Sequence, residues 1–170
     1  MIISNNLRGK IPFPKSAVVR VNVAWVKTSK ELNDILKANH KNKVFLDFPN
    51  GRTKPPKPRI GWGIVLSAIE KHKNVKYLAI SNVEDTDILK RLRDRVSIEI
   101  VPKIETMTGV EKIANIAEVS KCKMMMLDKE DLYLDCETDN TTYNSLVKTA
   151  RNKCKRLGVH LLELQGVFFG

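Results

Sequence analysis

The apolar and polar positions of this chain switch repeatedly between a period of two and a period near 3.6. Residues 17–25 (AVVRVNVAW) alternate, with Val19, Val21 and Val23 on one face and Arg20, Asn22 and Ala24 on the other, which predicts a strand. Thr28 followed by Glu31 is a capping box, so a helix is expected next, burying Leu32, Ile35 and Leu36. Residues 44–48 form a short apolar strand. Residues 63–72 then read as a helix with Ile64, Val65, Ala68 and Ile69 on one side. A strand over 76–81 and a helix over 85–95 follow; that helix opens near acids and closes on bases, as its dipole favours.

The stretch 97–133 reads as strand, helix, strand. Ile98, Ile100, Pro102 and Ile104 share one face of its first strand, and Glu99, Val101, Lys103 and Glu105 the other. Thr108 and Glu111 form a second capping box, predicting a helix from about Gly109 that buries Val110, Ile113, Ala114 and Ala117. Residues 122–127 are the next strand and end in acids. A helix carrying Tyr143, Leu146, Val147, Ala150, Cys154 and Leu157 starts at a cap region over 139–142 and stops at Gly158, before a last strand over 159–164. Six strands alternate with five helices. That order means an α/β fold with a parallel sheet and right-handed crossovers.

Length and composition narrow this reading. At 170 residues, 42% of them hydrophobic, the chain suits one domain over 17–170, preceded by an arm over 1–16 rich in Asn, Gly and Pro. It is short for a closed eight-stranded barrel, which takes about 200 residues or more. Cys122, Cys136 and Cys154 lack metal-ligand spacing, and with neither a leader pattern nor an apolar span the expected location is cytoplasmic, with no membrane partner. The net charge of +11 favours anionic ligands, but the lysines are scattered and aromatics make up 6%, so nucleic acid is not the expected partner.

Polar residues gather at the C-terminal ends of the expected strands: Arg20, Asn22, Asp47, Ser81, Lys103, Glu105, Asp131, Glu163 and Gln165. Ligands bind at that end of parallel α/β sheets and barrels. Glu105 and Asp131 close adjacent strands, about 5 Å apart, and two carboxylates so placed can share one Mg²⁺ or Mn²⁺. Lys103 lies on the same face as Glu105. The competing reading is an internal salt-bridge cluster of Lys103, Glu105 and Asp131 that holds the strands together. The loop over 49–59 (PNGRTKPPKPR) carries Arg52, Lys54, Lys57 and Arg59, suited to a phosphate or carboxylate or merely to solvation. No G-x-G-x-x-G follows the first strand, so a dinucleotide fold has little support.

These residues carry a resemblance. VPKIETMTGVEKIANIAEV is similar to the pyruvate kinase segment K-I-E-N-x-x-G, MMMLDKEDLY to its strand ending in R-G-D-L-G, and VFLDFPNGRTKPPKPRIG to L-D-T-K-G-P-E-I-R-T-G. YLAISNVEDTDILKRL and VVRVN resemble the kinase's A-L-S-F-V and A-R-L-N segments, in family order over 17–166. IETMTGV is closer still to the wording of a sister family, the citrate lyase β and HpcH/HpaI-type aldolases, which also have V-R-V on an early strand. Both families share a phosphoenolpyruvate/pyruvate-binding TIM barrel. The resemblance therefore implies a partial TIM barrel corresponding to strands two to seven. It implies Glu105 and Asp131 as divalent-metal ligands, with Lys103 and Arg20 at the reacting oxygens. Asn22 and Asp47 match part of the kinase's monovalent-cation site, Arg59 matches an arginine near the phosphates, and Gln165 stands in the kinase's A-T-Q segment.

The departures direct the functional expectation. The kinase's lid domain is absent, since Arg59-Ile60-Gly61 runs straight into a helix, so ATP-dependent phosphoryl transfer is not expected. Glu130 and Tyr133 replace glycines, and Glu163-Leu164-Gln165 replaces A-T-Q. Metal-dependent enolate chemistry of lyase or aldolase type is expected, on a 2-oxo acid or phosphorylated acid such as pyruvate, oxaloacetate or phosphoenolpyruvate. The alternative is a catalytically degenerate module with a ligand-binding, regulatory or assembly role. Two sheet edges would be left open, one for the arm and one for a second subunit, making a homodimer the expected state.

Overall fold

The computed structural model describes residues 14, 16–51 and 56–163, together with the backbone of 2–4. The expectations for Arg52, Lys54, Leu164 and Gln165 lie outside the described residues. The chain divides into two compact units, one holding residues 1–80 and 96–99, the other 81–95 and 100–170.

Unit 1 contains β1 (Ile2–Ser4), β2 (Val18–Asn22), a 3₁₀ turn (Val23–Trp25), α1 (Ser29–Ala38), β3 (Lys43–Phe48), α2 (Trp62–Lys71) and β4 (Val75–Ile80). Its strands pair in parallel and in chain order, with Val18 opposite Ile2 and Lys43, and Val44 opposite Val75. Val44 to Phe48 are all buried, as expected of a strand with both faces covered. The expected arm thus contributes a strand, β1, that covers the edge of β2. The expected first strand is shorter than its alternation suggested. Asn22 Oδ1 accepts from Ala24 N–H at 3.0 Å and turns residues 23–25 out of the ladder. Thr28 caps α1 by accepting from Glu31 N–H at 3.1 Å, while Glu31 reaches back to Lys27 N–H at 2.8 Å.

Unit 2 contains α3 (Asp87–Arg93), β5 (Glu99–Ile104, whose first residue belongs to unit 1), α4 (Met107–Glu111), α5 (Ile113–Ser120), β6 (Met124–Leu127), α6 (Lys129–Asp135), α7 (Asn140–Leu157) and β7 (His160–Glu163). β5, β6 and β7 are parallel neighbours in that order, with Lys103 opposite Met126 and Leu127 opposite Glu163. The six expected strands are all present, and their parallel pairing makes the fold α/β.

Three local expectations need correction. The helix after β5 is capped by Thr106, not Thr108: Thr106 Oγ1 accepts from Gly109 N–H at 3.0 Å. The fit is close, since a Cβ on Gly109 would lie 3.2 Å from that oxygen. The helix then breaks at Lys112, which shifts its phase, so the buried stripe is Val110, Ile113, Ile116 and Ser120 rather than one that includes Ala114 and Ala117. The third is an additional helix, α6. Asp128 caps it and Glu130 and Asp131 fill its first turn, where the helix dipole favours acids, so they do more than terminate a strand. Among the described residues, four non-glycines hold a left-handed backbone: Asn82 (φ 51°), Lys121 (52°), Glu137 (51°) and Thr138 (64°).

Candidate metal centre

Lys103 and Glu105 come from the C-terminal end of β5. Their side chains are buried, 6% and 8% exposed, and Lys103 Nζ lies 2.7 Å from Glu105 Oε1. Asp128, directly after β6, places Oδ2 3.2 Å from the same ammonium. The carboxylate is held there because Asp128 is also the N-cap of α6, accepting from Asp131 N–H. One turn into α6, Asp131 completes the group. One carboxylate oxygen from each of Glu105, Asp128 and Asp131 lies within 4.8 Å of the others.

Glu105 is aimed by the segment after β4. Ser81 Oγ donates to its Oε1 at 3.1 Å, and Asn82 N–H donates to its Oε2 at 3.0 Å. The left-handed backbone at Asn82 belongs to the turn that presents this N–H. Lys103 Nζ also donates to Ser81 Oγ at 3.3 Å. Every oxygen of a buried carboxylate is thereby given a donor, which is how such a charge is kept in the interior. Below this layer, Glu84 accepts from the Thr106 hydroxyl and Lys112 donates to Glu84 O, fixing the same turn to the start of α4.

The donor set fits a hard divalent cation. Three carboxylates suit Mg²⁺ or Mn²⁺, which take oxygen ligands, and among the described residues Lys103 places an ammonium beside two of them. Asp128 is the member that sequence reasoning missed. Its signal was position: it is the residue that ends β6 directly, whereas Asp131 reaches the group from the next helix.

The remaining expected site residues are distributed as follows. In unit 1, Arg20 stands in the middle of β2 and Asp47 near the C-terminal end of β3. Arg20 donates through Nε to Asp47 Oδ2 at 3.0 Å and through a terminal nitrogen to the same oxygen. Asn22 caps the 3₁₀ turn, and Arg59 is exposed to solvent. In unit 2, Glu130 is exposed and the Tyr133 ring packs edge-on against Tyr143, with centroids 5.3 Å apart. Glu163 at the end of β7 is clamped by Arg151, at 2.7 and 2.8 Å, and by Lys129 at 2.9 Å. The Arg151 bonds lead in holding its carboxyl down at about 2, so Glu163 is a structural ion pair. Burial raises the Cys154 thiol to about 11 and also raises Cys136, so neither offers a thiolate at neutral pH.

No protein-family model and no curated protein matches the chain by sequence. Its structure does match. Macrophomate synthase superposes with a TM-score of 0.65 at 15% identity, covering 85% of this chain and 62% of that one. An HpcH/HpaI aldolase/citrate lyase family protein from Burkholderia cenocepacia J2315 gives 0.67 at 11% identity, covering 88% and 71%. The citrate synthase SbnG gives 0.64 at 14% identity, covering 90% and 69%.

The fold is a partial TIM barrel.

The chain spans less than two thirds of macrophomate synthase. These likenesses agree with the aldolase/citrate lyase side of the resemblance and give the pyruvate kinase side no specific support. Among the described residues, no helix is long and apolar enough to cross a membrane.

Proposed function

We propose that the protein is a divalent-metal-dependent enzyme acting on a small 2-oxo acid of the pyruvate or oxaloacetate type, by chemistry of the lyase or aldolase kind. The observation that carries this reading is the convergence of Glu105, Asp128 and Asp131 around Lys103, at strand ends of a fold like those of aldolase/citrate lyase family structures. Glu105, Asp128 and Asp131 would hold Mg²⁺ or Mn²⁺, with Ser81 and Asn82 fixing the orientation of Glu105. Such an ion acts as a Lewis acid that polarises a carbonyl oxygen. Lys103 supplies a second positive charge, fixed in place before substrate arrives, which lowers the cost of charge developing on that oxygen. Its ammonium is also a proton source. The resemblance assigns Arg20, aligned by Asp47, to the substrate's phosphate or keto oxygen and Arg59 to its phosphates, and each can be tested through its own variant.

Mn²⁺ titration followed by calorimetry, on the wild type and Glu105→Gln, tests the reading. Wild type should bind the ion and Glu105→Gln should bind it at least about tenfold more weakly. Oxaloacetate consumption should depend on the ion. Absence of ion binding by wild type would overturn the proposal. A homodimer is part of the same reading and is read from the mass in light scattering.

A second reading has an observation of its own. Lys103 already bridges Glu105 and Asp128, as a salt-bridge cluster in a non-catalytic module would. Ion binding without turnover of any 2-oxo acid would favour it.

A further inference from the structure

The formal charge of +11 is not spread over the molecule. Unit 2 has 14 lysines and arginines against 14 acids, whereas unit 1 has 16 against five, so unit 1 carries the entire excess. Within unit 1, six of the lysines belong to two short segments at the N-terminal ends of β3 and β4. Lys37, Lys41 and Lys43 lie between the last turn of α1 and the start of β3, and Lys71, Lys73 and Lys76 between the last turn of α2 and β4. All six are exposed, and none makes an ion pair among the described residues. Neither segment contains an acid, and Glu70 directly precedes the second.

Hydrogen bonds lock the two segments together. Asn74 Nδ2 donates to Leu36 O and Asn39 O, each at 3.1 Å, and Val44 N–H donates to Asn74 O at 2.8 Å. Buried Asn39 donates back to Ile35 O at 2.8 Å, and His72 pairs with Asn33 Oδ1 at 2.8 Å. Asn42 Nδ2 ties Pro14 O to the same end at 2.9 Å. The lysines therefore project from a rigid platform rather than a floppy loop. Lys37 and Lys71 lie near enough to His72 to add to burial in lowering its pKa, which shows the two segments' charges acting on one point.

We propose that this lysine platform on unit 1, made of residues 37–43 and 71–76, docks on the phosphate backbone of a double-helical nucleic acid. Adjacent strand ends lie about 5 Å apart, close enough together for flexible lysines to reach neighbouring phosphates of a duplex, which carries one per about 3.4 Å of helix axis on each strand. The composition decides the mode. The platform is built of lysine, a point charge, without the arginine forks that read base edges or the exposed aromatic rings that stack on unpaired bases. Binding is thus sequence-independent and depends on a duplex charge density. A lipid surface fits less well, because anchoring there needs an apolar or second signal. The exposed large hydrophobics among the described residues, Trp25, Met107, Leu134 and Leu157, all lie elsewhere. The platform is separated along β3 from Asp47, four residues on, so it is independent of the proposed catalytic residues.

The test is fluorescence anisotropy of the full chain with a labelled mixed-sequence DNA duplex about 24 base pairs long, between about 50 and 200 mM KCl. Wild-type affinity should fall with salt, with a log–log slope of about −4.5 to −5.4 for five or six phosphates neutralised. Lys41→Glu/Lys43→Glu/Lys73→Glu should weaken binding at least about tenfold and flatten the slope by about 3. Lys→Gln at the same positions should act in the same direction, which guards against a folding defect in the reversed variant. Lys90→Glu/Lys148→Glu/Lys155→Glu in unit 2 should leave binding unchanged. The proposal is overturned if wild type shows no salt-dependent duplex binding, or if the unit 2 reversals cost as much. It is equally overturned if phosphatidylserine vesicles bind more tightly than the duplex.

Discussion

Both units of this chain place a cation against carboxylates at the C-terminal ends of parallel strands, but in different proportions. In unit 1, Arg20 on β2 meets Asp47 near the end of β3, the one buried acid among that unit's described residues. In unit 2, Lys103 meets Glu105 and Asp128, with Asp131 within the same group. The Arg20–Asp47 pair holds the guanidinium in one orientation. Three acids grouped beside Lys103 suit a further positive ion. On the proposed reading, the carboxylate of unit 1 orients an arginine, whereas those of unit 2 hold an ion.

Removing the cation from each unit separates these roles most sharply. Lys103→Met leaves Glu105 and Asp128 facing each other with their ammonium gone, and should cost about 3–5 kcal/mol in urea unfolding. Millimolar Mn²⁺ should return much of that loss, because an ion that binds the folded state stabilises it. A full loss that Mn²⁺ does not touch would mean the three acids do not form an ion site. Asp47→Asn in unit 1 strands a mostly buried guanidinium, 16% exposed, and should cost about 2 kcal/mol with no recovery in Mn²⁺. Recovery there would erase the contrast.

A smaller effect is expected at the Arg151–Glu163 clamp. Arg151→Ala should cost about 1 kcal/mol near neutral pH, since the arginine is half-exposed. Glu163 has its carboxyl lowered from 4.5 to about 2, so the stability it contributes is complete above pH 4.5 and is lost as pH falls towards 2. Acid titration of the variant should show a flatter loss across that window. The smallest effect belongs to His72, whose pKa is lowered from 6.5, first by burial and then by Lys37 and Lys71. Its contribution is present above pH 6.5 and fades as pH falls through the lowered value, so His72→Gln should lose less stability than wild type between neutral and mildly acidic pH.

Much of this arrangement was legible in the sequence, and the failures have specific causes. The strands and most helices follow from periodicity, because each has one face or both against the core. Glu105 and Lys103 were visible as polar residues on a strand whose neighbours are apolar. Asp128 was not, because a residue that ends a strand and caps a helix looks like either alone. The break at Lys112 was hidden for a related reason: Val110, Ile113, Ala114 and Ala117 suit an unbroken helix, and only the Thr106 cap and the close Thr106–Gly109 approach reset its start. The Arg20–Asp47 pair and the lysine platform depend on contacts between residues 27 or more positions apart, which no local pattern encodes.

The left-handed residues divide along the same lines. Asn82 belongs to the turn that gives an N–H to Glu105, so its conformation serves to orient that carboxylate. Lys121, at the end of α5, and Glu137 and Thr138, after α6, show no such tie, and a side chain there costs about 1 kcal/mol relative to glycine. The chain therefore sits below the melting temperature its architecture allows. An engineer could raise it by glycine replacement at the three outlying turns while leaving Asn82 alone.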